Sequence, residues 1–137
     1  MNSYLAKQYL KFKLKAADEH ALHSPFAFDF YCTVVKGGET YYALEDLKRL
    51  RSAVEKDTTE LIIEDFGAGS KKLKGNKRKV ADIAKHGIST HKSSAFLFRV
   101  AEYLNCKSIL ELGTSIGLNS LYLAAHSSET KVISIEG

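Results

Sequence analysis

The chain opens on a helical period. Leu5, Tyr9, Phe12 and Ala16 recur at three- and four-residue spacing, while Lys7, Lys11 and Lys15 fall on another face, the pattern of an amphipathic helix. Ser24-Pro25 sets the start of a second helix, because serine can accept from a first-turn amide and proline gives up no needed donor at the first helical position. That helix, rich in Phe26, Phe28, Phe30 and Tyr31, is predicted to run to Lys36 and end at Gly37-Gly38. Leu44, Leu47, Leu50, Arg51 and Val54 predict a third, closing near Asp57-Thr58-Thr59. Residues 1–57 therefore read as a helical N-terminal region whose apolar stripes share a common core.

The period then changes. Leu61-Ile62-Ile63 stops at Asp65 to Ser70, a segment open to two readings, a strand with its turn or a short ordered loop. Val80, Ile83 and Ala84 predict a short helix ending at His86-Gly87, so residues 58–88 read as a basic loop and short helix. Ser89 or Thr90 can cap a longer helix with Leu97, Val100, Ala101 and Leu104 as its buried stripe. Ser108 to Leu112 is a short apolar run bounded by polar residues and glycine, the look of a buried parallel strand. A glycine-containing loop, a helix from about Ile116 to His126, a polar turn at Ser127 to Thr130 and a strand over Val132 to Ile135 follow. This is a βαβ unit, and it makes the expected fold α/β: the helical region followed by the first βαβ unit of an incomplete Rossmann-like sheet.

Composition narrows the class. The 137 residues are 45% hydrophobic and 26% charged with nine glycines and one proline, a balance that fits one globular domain and excludes collagenous or low-complexity chains. With no apolar run of membrane-spanning length and no signal-like start, a soluble, unexported protein without membrane contact is expected. Cys32 and Cys106 lie far apart with no CxxC or Cys/His spacing, so neither a disulfide framework nor a zinc site is predicted and a cytoplasmic setting fits. His20 and His23, beside Asp18 and Glu19, lack further ligands nearby in sequence, and no metal is expected there.

The net charge of +4 is local in origin. Six of the nine residues from Lys71 to Lys79 are basic, and outside that run 14 basic residues face 16 acidic ones. Such a run can hold nucleic-acid phosphates, but no aromatics interleave for base stacking, so a solvated loop is the plainer expectation. A basic nucleic-acid-binding or protein-interaction module without catalysis stands as the alternative function. The upstream Asp65 to Ser70 loop, followed by no apolar helix, reads as a surface segment.

The chemistry concentrates in Ile109 to Ala124 and Val132 to Gly137. A strand running into Gly113, with Gly117 four residues on at the helix opening, lets backbone pass close to a ligand because neither glycine presents a Cβ. Ligands in such sheets sit beyond the carboxyl ends of the strands, and the second strand ends in Glu136, whose carboxylate can accept from both hydroxyls of a ribose. An adenosine-containing cofactor follows. The dinucleotide fingerprint fails because Ser115 stands at its second glycine, and no GKS or GKT occurs, so this loop is not built for phosphates. The plainer alternative is that both glycines serve a tight turn and close helix-strand packing, and that Glu136 is a solvated strand end.

With Glu111 closing the first strand, Gly113 and Gly117 in the loop and Glu136 closing the second strand, residues 89–137 resemble the first half of a class I S-adenosylmethionine-dependent methyltransferase of the small-molecule O-methyltransferase type. The resemblance implies that Glu136 holds the adenosine ribose and that the loop of Gly113, Thr114, Ser115 and Gly117 passes beside the methionine part. It implies further that Glu111 favours the ammonium end of S-adenosylmethionine and that the segment Ser89 to Ser94 covers the cofactor. A small-molecule methyl acceptor is implied as the partner, with the acceptor and any oligomer left open. Two strands cannot bury both faces of a doubly wound sheet, so the chain is expected to be the N-terminal portion of such an enzyme, inactive alone, with acceptor-side base or metal ligands beyond residue 137.

Overall fold

The computed structural model describes residues 3–16, 19–37, 41–63 and 76–136. The turn at Asp65 to Ser70, the first part of the basic run and Gly38 lie outside the described residues. Two compact units divide the chain, residues 1–37 and 38–137.

The first unit is helical. Helix α1 spans Ser3–Lys15, a 3-10 turn covers Glu19–Ala21, and α2 covers Pro25–Phe30 before widening into a π-helical turn over Tyr31–Lys36. The Ser24 hydroxyl accepts from Ala27 N at 3.3 Å with Pro25 at the first helical position, and Gly37 breaks the helix at φ 24°. Lys36 pairs with Glu19 and joins the π-helical turn to the 3-10 turn. No residue of α1 is buried within this unit, and Leu5, Tyr9 and Phe12 form an exposed stripe. Periodicity sets which residues share a face of a helix, not what lies against that face.

The second unit mixes helices with two small sheets. Helix α3 spans Tyr42–Val54, strand β1 Glu60–Ile62, strand β2 Lys77–Lys79, helix α4 Val80–His86 and helix α5 His91–Tyr103. Strand β3 covers Ser108–Leu112, helix α6 Leu118–Ala124 and strand β4 Lys131–Ile135. β1 and β2 pair antiparallel with Glu60 opposite Lys79, so part of the basic run is a strand rather than a solvated loop. Opposite charges facing across a ladder offset the poor strand propensity of lysine. Ile63 N–H to Asn76 O at 2.8 Å and Val80 N–H to Thr59 O at 3.0 Å extend the hairpin at both ends.

β3 and β4 run parallel in the register Ser108 to Lys131 through Leu112 to Ile135, with α6 as the crossover. At their amino ends Thr130 donates to Cys106 O at 2.8 Å, so His126 Nε2, 2.8 Å from the same hydroxyl, donates to it. α5 packs on α6, and α3 packs on α4, α5 and α6. Ala81, Ile83 and Ala84 of α4, Ala95, Phe98 and Ala101 of α5, and Leu118, Tyr122 and Leu123 of α6 are buried between them.

The buried face of α5 differs from the expected one. Ser94, Ala95, Phe98 and Ala101 face inward while Leu97 and Leu104 are exposed. Small residues let α6 and α3 approach closely, and Phe98 fills the space they leave, edge-on to Tyr41 with ring centroids 5.0 Å apart. The pleat of the parallel pair divides it sharply. Glu111 points inward and is buried, whereas Leu110 and Leu112 are 62% and 75% exposed and Ile133 and Ile135 lie exposed opposite them. Among the described residues, no helix is long and apolar enough to cross a membrane.

Phe98→Ala should therefore cost roughly 3 to 5 kcal/mol of unfolding free energy, and Leu104→Ala well under half of that. Denaturant unfolding of the two variants checks which face of α5 carries the core. Equal losses would return the core to the leucine stripe.

Candidate functional site

Strand β3 delivers the chain to a loop whose backbone only certain residues tolerate. Gly113 has φ 90° and Gly117 φ 77°, and a Cβ built at either meets no heavy atom within 4 Å. Close helix-strand packing is thus not what requires glycine there. The requirement is conformational, because positive φ is costly for residues that carry a Cβ. Gly113 N–H extends the parallel ladder to Ile135 O at 2.8 Å, and Gly117 N–H closes a turn on Thr114 O at 2.9 Å. Ser115, between them, adopts φ 51°, a left-handed conformation uncommon outside glycine, asparagine and aspartate.

Ser115 is held there by Glu136. Its amide donates to Glu136 Oε2 at 2.9 Å, which ties the loop after β3 to the residue following β4. The two features singled out from sequence, the glycine loop and the acid at the second strand end, are therefore in direct contact. A cavity of about 190 Å³ opens beside them, walled by Glu111, Leu112, Gly113, Thr114, Ser115 and Asn119. Its other wall is Gly87, Ile88 and Ser89, the connection between α4 and α5. Gly117 and Glu136 stand outside this wall.

Glu111 has the densest set of partners in the site. Asn119 Nδ2 donates to its Oε1 at 2.7 Å, and Ser134 Oγ donates to Oε2 at 2.6 Å alongside the Ser120 hydroxyl. Because Ser134 spends its proton on Glu111, its contact with Thr114 Oγ1 makes Thr114 the donor, and a relay runs Thr114 to Ser134 to Glu111. Burial alone pushes the Glu111 pKa up, but the donors on Ser120, Ser134 and Asn119 outweigh it, and the carboxyl stays below its ordinary range. Glu111 is ionised at neutral pH.

Asn119, Ser120 and Ser134 were not among the residues expected at the site. The signal for them was polarity out of place: Asn119-Ser120 interrupt the apolar opening of α6, and Ser134, in register with Glu111, interrupts the apolar run from Val132 to Ile135. Cys32 and Cys106 are free thiols, and among the described residues no three histidine, cysteine, aspartate or glutamate side chains gather into a metal site. No family model, curated protein or solved structure matches the chain.

The lowered pKa of Glu111 has a defined pH signature. A carboxyl whose folded pKa lies below its unfolded value contributes stability that is complete above the ordinary glutamate value of 4.5 and drains away as pH falls through the folded value. Glu111→Gln should therefore destabilise the chain most at neutral pH, with the gap to the native sequence narrowing below pH 4.5. Urea unfolding at several pH values reads this directly. A gap that widened on acidification would show that Glu111 carries a proton in the folded state.

Proposed function

We propose that the chain is the N-terminal part of an S-adenosylmethionine-dependent methyltransferase with a Rossmann-like cofactor domain, acting on a hydroxyl of a small molecule. The observation that carries the reading is the Ser115 to Glu136 hydrogen bond, which joins the glycine loop after β3 to the acid after β4 on the carboxyl side of a parallel pair. That is where an adenosine cofactor lies in open α/β sheets. S-adenosylmethionine supplies an electrophilic methyl group on a sulfonium, and the protein's task is to align an acceptor with it.

The residues present fit such a ligand. Glu136 spends Oε2 on Ser115 and keeps Oε1 to accept from a ribose hydroxyl. Glu111 Oε1 accepts a single bond from Asn119 and retains a lone pair beside the cavity for an ammonium group. At about 190 Å³ the cavity lies below the roughly 300 to 1,000 Å³ of whole small-molecule pockets, which suits one end of the cofactor, its methionine part by the resemblance. The exposed apolar face of Leu110, Leu112, Ile133 and Ile135 favours a larger sheet, since parallel sheets are covered on both faces. Acceptor-side chemistry then belongs to further elements, and the 137-residue chain by itself turns over no acceptor.

Calorimetric titration with S-adenosylhomocysteine, run on the protein extended past residue 137, tests the proposal. Glu136→Ala should weaken binding at least about tenfold, because hydrogen bonds to a charged acceptor are worth roughly 1.5 to 3 kcal/mol. Glu136→Gln keeps a carbonyl oxygen and should lose less. Gly113→Val should do comparable damage to Glu136→Ala by forcing a branched residue into positive φ at the site. No cofactor heat, with salt-dependent RNA binding in its place, would assign the chain to the basic-module class instead.

A further inference from the structure

A second cleft, of about 310 Å³, lies between α3, the end of α4 and the start of α5 in the same unit. Lys48, Arg51 and Lys85 bring three permanent positive charges to its lining, with Thr90 and His91 at the amino end of α5. The one carboxylate in the lining, Glu55, is already engaged: its Oε1 accepts from Arg51 Nε at 2.9 Å. The lining therefore carries three cationic side chains against one carboxylate, which is paired with Arg51.

Arg51 is the unusual member. It is only 7% exposed and donates from Nη2 to Ala84 O at 3.2 Å. Tyr122 is a further partner of the guanidinium, which acts on the phenol by charge and by a side-chain hydrogen bond, so Arg51 is held in the wall of the cleft by Glu55, Ala84 and Tyr122. The start of α5 adds to the field. Ser94 N–H makes a helical bond to Thr90 O at 2.9 Å, and the Thr90 side chain takes the Ser93 amide at 3.2 Å, so the amides of the first two positions of this thirteen-residue helix come before the intrahelical ladder. His91 lines the cleft as well. Burial, with Lys48 and Arg51 nearby, holds its pKa down against the opposing pull of Glu45, so the ring is neutral. Its Nδ1 lies 2.7 Å from the Tyr122 hydroxyl, a contact in which either atom can donate.

We propose that this cleft binds the phosphate group of a small phosphorylated molecule. A phosphate monoester carries between one and two negative charges near neutral pH and three acceptor oxygens, which matches both the excess charge and the set of donors. A carboxylate, with one charge and two oxygens, would leave cationic donors unmet. The volume exceeds what a free ion needs and falls at the lower end of small-molecule pockets, so the phosphate has a carrier. The site is separate from the loop of Gly113 to Gly117, which has no lysine, and it does not depend on the methyltransferase reading.

The test is a titration of the full, isotopically labelled chain with inorganic phosphate, and in parallel with acetate, at constant ionic strength set by chloride. Phosphate should shift the amides of His91 and Lys92 and the Arg51 side-chain resonances saturably, with acetate much weaker. Lys48→Gln combined with Lys85→Gln, both exposed positions whose change leaves the core intact, should lower phosphate affinity at least about tenfold. Lys131→Gln on β4 should leave it unchanged. The proposal is overturned if acetate matches phosphate, if the double variant binds as the native chain does, or if the saturable shifts map to Lys77–Lys79 instead.

Discussion

The buried carboxylate of Glu111 ties the three parts of the βαβ unit together. It leaves β3 pointing inward, and its donors come from α6, through Asn119 and Ser120, and from β4, through Ser134. A lone buried carboxylate would be costly, so the charge demands those donors and thereby fixes where helix and second strand must sit. Loss of Asn119 would leave Oε1 without its side-chain donor, whereas Oε2 has two. The arrangement also fixes the loop, because Thr114 joins the same network through Ser134.

From that anchor the geometry of the loop follows. β3 and β4 are locked in register, which sets Ser115 N–H within reach of the Glu136 carboxylate across the strand ends. Ser115 accepts a left-handed backbone in exchange, and the two flanking glycines absorb the rest of the turn at positive φ. Strain concentrated in a short segment between rigid elements is a common property of binding loops, since the neighbouring structure over-determines the conformation. The cavity beside the loop is completed by Gly87 to Ser89, so α4 and α5 take part in the site through their connection rather than through their helical faces.

How much of this was legible from residues alone depends on whether the signal was local. Ser24-Pro25, the stop at Gly37, the bounds of β3 and the glycine loop all rest on backbone chemistry that a residue carries with it, and the structure places each where the sequence pointed. The phase of α5 depended on which neighbours approach it, and small residues on the true inner face were outvoted by leucines on the outer one. β2 was hidden for a similar reason, since Lys77–Lys79 becomes a strand through pairing with β1 and not through propensity. The partners of Glu111 lie eight, nine and twenty-three residues away, and only the fold brings them together. The cationic cleft was equally out of sight, because Lys48, Lys85 and His91 belong to three helices whose mutual packing no single stretch encodes.

The exposed face of the parallel pair bears on how the chain behaves in concentrated solution. Leu110, Leu112, Ile133 and Ile135 form a contiguous sticky surface beside strand edges that pair with nothing else among the described residues. Such a surface invites edge-to-edge association, and electrostatic repulsion between molecules is the force that opposes it. With a net charge of +4 at pH 7 and an isoelectric point near 9.0, that repulsion fades under mildly alkaline conditions. The chain is therefore best kept in mildly acidic to neutral buffers of low ionic strength, where its lysines hold apart the faces its leucines would bring together.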